Sequence, residues 1–103
     1  MAPRSLLSEG EVAAFLQSHP GWRQEQGELR RTYEFASFKE SVLFVNAVAE
    51  LAEREQHHPD IDLHYRHITI ALLTYDMDGL TNRDTDVAGK IEALRAGFNP
   101  KPT

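Results

Sequence analysis

Residues 53–67 read EREQHHPDIDLHYRH and hold four of the chain's five histidines. Histidine is the side chain whose ordinary pKa lies nearest neutrality, so the adjacent His57 and His58 can both give and take protons at physiological pH. Glu53 stands four residues before His57. On a helix that spacing sets the carboxylate one turn from the imidazole, where it can fix the tautomer and favour the charged form. Pro59 restricts His58 to an extended backbone. Two imidazoles at a helix-to-strand junction could meet a ligand and serve as general acid and base. A purely structural account fits the same residues. Histidine near a helix C-terminus complements the dipole, and a proline just beyond is an ordinary stop.

A metal site is a third reading, with His58, His64 and His67 joined by a carboxylate. Its geometry is missing. If one strand continues through both, its two-residue period turns His64 and His67 to opposite faces, and no HxxxH pair occurs. The reading adopted has no metal.

The elements that would position these groups follow from pattern. Ser8 and Glu11 make a capping box before Val12, Phe15 and Leu16, and His19-Pro20-Gly21 ends that helix. Leu29, Tyr33 and Phe35 alternate with polar residues, and Gln26-Gly27 gives the turn of a hairpin. Ser37 and Glu40 form a second capping box. The helix they open carries one stripe of Phe38, Val42, Val45, Ala49 and Ala52, and a second of Phe44, Val48 and Leu51. That is wider than one sheet face requires, so a thoroughly buried helix and a subunit contact are both open. Beyond Pro59, Ile61, Leu63 and Tyr65 alternate with Asp60, Asp62 and His64; Ile68, Ile70 and Leu72 alternate in turn. The two runs pair as a hairpin about Arg66-His67. Thr81 with Asp84 opens a last helix striped by Val87, Ile91, Leu94 and Phe98. Residues 97–103 should be irregular. The order α-β-β-α-β-β-α predicts an α+β two-layer domain: a four-stranded antiparallel sheet covered on one face by helices.

A chain of 103 residues argues for a single domain, and small domains are often helped by oligomerisation. There is no cysteine, which excludes disulfides and thiolate chemistry. The net charge of −5 lacks the basic footprint that a phosphate backbone requires, so no direct nucleic-acid contact is expected. No apolar run approaches the ~20 residues of a membrane helix. The stretch MAPRSLLSEGE has no apolar h-region and does not read as a secretory signal. A cytoplasmic location is the default.

The spacing of Glu53, His57-His58-Pro59, Tyr65 and Asp84 resembles the pterin-4a-carbinolamine dehydratase family, as do GLTNRD before the last helix, Gly21-Trp22, and Phe35, Phe38 and Phe44. The resemblance spans nearly the whole chain. One position departs: Tyr75 stands where the family has a third histidine. What the resemblance implies is loss of water from a 4a-hydroxytetrahydropterin, with no metal and no cofactor. It implies His57 as an acid–base residue oriented by Glu53. His58 would be a second acid–base or binding residue, with Asp84 assisting at the rim. Pro59, Tyr65 and Tyr75 would contact substrate. It also implies a homodimer or homotetramer, and an alternative role as a non-catalytic assembly partner of another protein. Sequence alone leaves plain structural roles open: Asp84 as a helix cap, Tyr65 and Trp22 as core.

Overall fold

The computed structural model describes residues 5–98. Helix α1 (Glu9–Ser18) is followed by β1 (Arg23–Glu25) and β2 (Glu28–Glu34), then α2 (Phe38–Glu55), β3 (Asp60–His64), β4 (His67–Leu72) and α3 (Asn82–Arg95). This is the expected order. The strands form one antiparallel sheet, β1-β2-β4-β3. Both β1 and β3 are therefore edges, and β2 and β4 form the middle.

Alternation decides what is inside. Leu29, Arg31 and Tyr33 of β2 and Ile68, Ile70 and Leu72 of β4 are buried beneath the helices. Asp60, Asp62, His64 and His67 fall on the open face and are exposed. The β1–β2 turn is Gln26-Gly27, both with positive φ (53° and 79°), as a two-residue type I′ loop requires.

The β3–β4 turn lies one residue earlier than the sequence suggested. His64 pairs with His67, so the loop is Tyr65-Arg66. Moving a two-residue loop by one position shifts the register by two and keeps the same faces inward, so alternation cannot tell the two pairings apart. Tyr65 consequently leaves the strand. It sits in the turn at φ 55°, is exposed, and lies over the Arg66 guanidinium at 5.3 Å.

On α2 the core stripe is Phe44, Val48 and Leu51, flanked by Ser41 and Ala52. Of the other anticipated stripe only Ala52 is fully buried. Phe38 is 52% exposed, and the neighbouring Leu43 is 46% exposed. All three anticipated N-caps form: Ser8–Glu11 and Thr81–Asp84 are reciprocal boxes, and at Ser37 the half in which Oγ accepts from the Glu40 amide is made. Phe98 packs edge-on to Phe44 at 5.5 Å between ring centres. Ala96, Gly97 and Phe98 turn out of α3; the rest of the anticipated irregular tail lies outside the described residues.

One polar cluster is built into the core. Arg31 is 6% exposed, and its Nε lies 3.4 Å from Glu92 Oε1. That oxygen also accepts from Trp22 Nε1 at 2.8 Å and Tyr33 OH at 2.7 Å, and Arg95 donates to Oε2 at 3.1 Å. Burial pushes the Glu92 pKa up, but the donors from Tyr33, Arg95 and Trp22 and the nearby Arg31 charge outweigh it, and the net shift is downward. Trp22 is thus a core residue.

Candidate active site

Local backbone chemistry at the end of α2 sets the site. Gln56 adopts the left-handed conformation at φ 52°. His57 N–H donates to Ala52 O at 3.2 Å and Gln56 N–H to Glu53 O at 3.4 Å, the paired bonds of a Schellman cap. The chain therefore leaves the helical path one residue before His57. This corrects the expected pairing. Glu53 and His57 are no longer one helical turn apart, and Glu53 meets His58 instead, with Oε2 2.5 Å from Nε2.

His57 takes a different carboxylate. Its Nε2 lies 2.6 Å from Asp84 Oδ1. Asp84 is fully buried, not at a rim as anticipated. Its Oδ2 accepts from Thr74 Oγ1 at 2.8 Å and from the Thr81 amide at 2.9 Å. The second of these is the reciprocal half of the α3 capping box, so Asp84 both caps α3 and holds His57. Thr74 Oγ1 also lies 2.8 Å from Thr81 Oγ1, which fixes all three side chains. A carboxylate only accepts, so Nε2 carries the proton in each neutral imidazole and Nδ1 is the nitrogen left as acceptor.

The two pairs differ in setting. The His57 side chain is nearly buried against a carboxylate sealed from water. The His58 and Glu53 side chains are 63% and 76% exposed. Both imidazoles open on one cavity of about 370 Å³, walled also by Leu73, Thr74, Tyr75 and Arg83. Its size suits a bicyclic heterocycle.

Tyr75 begins a short 3₁₀ turn after β4 and is exposed. Its hydroxyl donates to Asp60 Oδ2 at 3.0 Å. That hydrogen bond, with the charge of Asp60, raises the phenol pKa above its ordinary value. Pro59 carries the chain from His58 into β3 but does not line the cavity; Tyr65 lies at the far end of β3 and is not brought to it. His64 and His67 face each other across the hairpin, also away from it. Thr74 and Arg83 were not anticipated. A threonine closing an apolar strand carries no spacing signal, and Arg83 is visible only once α3 docks on α2, where Nη2 donates to Glu55 O at 2.9 Å.

Residues 5–94 match the model of the pterin 4 alpha carbinolamine dehydratase family. A relative from Acidobacterium capsulatum is 49% identical over 88 residues, covering 85% of this chain and 96% of its own length. One from Thermomicrobium roseum is 43% identical over 88 residues, covering 85% and 95%. Both bear pterin-4-alpha-carbinolamine dehydratase as a provisional name. Among solved structures, a transcriptional coactivator/pterin dehydratase from Brucella melitensis superposes with a TM-score of 0.83 at 27% identity, over 87% of this chain and 98% of that one. A pterin dehydratase-like protein, a RuBisCO assembly factor in the alpha-carboxysome, superposes at 0.62 with 25% identity, over 74% and 90%.

Proposed function

The chain belongs to the pterin 4 alpha carbinolamine dehydratase family, and on that premise we propose that it removes water from a 4a-hydroxytetrahydropterin to give a quinonoid dihydropterin. The observation that carries this reading is the presence of two carboxylate-held imidazoles on one cavity. The reaction needs one group to give a proton and one to take it. The C4a–O bond breaks, and the departing hydroxyl takes a proton from one imidazolium and leaves as water. The other imidazole takes the N5 proton, and the freed electron pair closes the C4a=N5 bond. One proton is given and one received, so the pair returns to balance.

His57 is the acid–base residue whose tautomer is fixed by buried Asp84. His58, exposed and held by Glu53, is its partner and contacts the substrate. Tyr75 occupies the slot that the resemblance gives to a third histidine. Its raised pKa keeps it protonated at neutral pH, so it donates a hydrogen bond and bounds the flat ring but does not serve as a base. The test is a dehydration assay with enzymatically generated 4a-carbinolamine, on the native protein and on Tyr75→His. Native protein should exceed the uncatalysed rate, and histidine at 75 should raise it further. A folded protein that leaves the rate at the uncatalysed value refutes the reading.

A second reading is an assembly role, alone or beside catalysis. The exposed Phe38 and Leu43 on α2, and the likeness to an assembly factor, favour it. The same α2 surface supports a homodimer or homotetramer, in the cytoplasm. Recovery from the host with no bound partner would count against the assembly role.

A further inference from the structure

A second cavity, of about 380 Å³, opens between the end of α2 and the start of α3. Gln56 and Arg83 line both cavities, so the two adjoin at these side chains. The second holds no histidine and no carboxylate–imidazole pair, so it suits binding and not chemistry. Its charges are uneven. Arg83 spends one terminal nitrogen on Glu55 O, which fixes the guanidinium and leaves its other N–H donors for a ligand. Arg54, exposed in the last turn of α2, lines the same cavity. Among the described residues neither arginine forms an ion pair. Of the two acids on the wall, Glu55 is neutralised by Lys90 Nζ at 2.7 Å, which leaves Asp86 against two guanidinium groups. That is a local excess of positive charge in a chain of net −5.

We propose that the substrate is a pterin whose ring side chain ends in an anionic oxygen group, phosphate or carboxylate, held by Arg83 and Arg54. The inference rests on the dehydratase reading for the placement of the ring. A guanidinium presents its donors in a planar fork that matches such oxygens, and binding energy from this remote group would position the reacting ring.

Calorimetry on the full chain tests it with a matched pair, 7,8-dihydroneopterin and its 3′-phosphate, which share ring and hydroxyl chain. The phosphate should bind at least tenfold more tightly. Arg83→Gln and Arg54→Gln should each bring the ratio below about threefold. Arg54→Gln removes no bond within the described chain and so keeps the test independent of folding. Dihydrofolate gives the carboxylate arm: affinity equal to the phosphate assigns either group, and affinity equal to dihydroneopterin assigns phosphate alone. Equal dissociation constants for the matched pair, with dehydratase activity present, overturn this inference and leave the dehydratase reading standing. No binding of any pterin, with no dehydration, overturns both.

Discussion

Replacing Asp84 by asparagine separates the two duties of that residue. The Thr74 hydroxyl and the Thr81 amide both donate to Oδ2, so the single asparagine oxygen must stay there. The new NH₂ group then faces His57 Nε2, in the place of an oxygen now 2.6 Å away. A donor meets a donor, and the neutral ring relieves the clash by moving its proton to Nδ1. Nδ1, the one nitrogen that was free to accept a proton, can then no longer do so. A positioned acid–base group is worth about 10²–10⁴-fold in rate. The expected fall in kcat is of that size, roughly 3–5 kcal/mol in the barrier. Loss of one charge-assisted bond costs about 1.5–3 kcal/mol of stability. At ~4–8 °C per kcal/mol for a domain of this size, the melting temperature should fall by roughly 6–24 °C. Stopped-flow dehydration and ¹⁵N NMR of the ring nitrogens read the two effects separately. A rate within threefold of the native protein, with the His57 proton still on Nε2, would refute the reasoning.

Other perturbations give contrasting outcomes. Glu53→Gln acts on an exposed pair, worth about 0–1 kcal/mol, so dehydration should slow by less than about fivefold; a loss as large as that of Asp84→Asn would contradict the ranking of the two pairs. Tyr75 should ionise above its ordinary pKa of about 10, because Asp60 holds the phenol. The contribution of that bond is present below pH 10 and is lost as pH rises through the folded-state value. Absorbance at 295 nm should show Asp60→Asn moving one tyrosine titration downward, and an unchanged curve would exclude the bond. Glu92 has a depressed folded-state pKa, so its cluster stabilises the protein above about pH 4.5 and fades as pH falls through the folded value. Glu92→Gln should lower stability at neutral pH and flatten the acid limb of the stability curve; chemical denaturation at pH 3 to 7 measures both.

The strands and helices were legible because each has a strong local signature: reciprocal caps at Ser8 and Thr81, an inward run of Ile68, Ile70 and Leu72, a Gln-Gly turn. The histidine pair was legible for the same reason, as neighbours in sequence. Their partners were not. Spacing assigned Glu53 to His57 on the premise that the helix continued, and a left-handed residue at Gln56 broke that premise. Gln56 is not a glycine, so nothing in its type announced the cap. The Asp84 contact spans 27 residues and arises only when α3 docks on α2. The buried Arg31 was hidden within an apolar alternation, since its partner Glu92 lies 61 residues away.

Gln56 also bears on how this protein trades robustness for shape. A side chain in the left-handed region costs on the order of 1 kcal/mol, and glycine would relieve it. Glycine would also remove a side chain that lines both cavities, and so change the wall they share. An engineer seeking a hardier version would reach for this substitution first, and would obtain a better-tolerated backbone around a less discriminating mouth. Position 56 is therefore where selection for durability and selection for substrate choice pull in opposite directions.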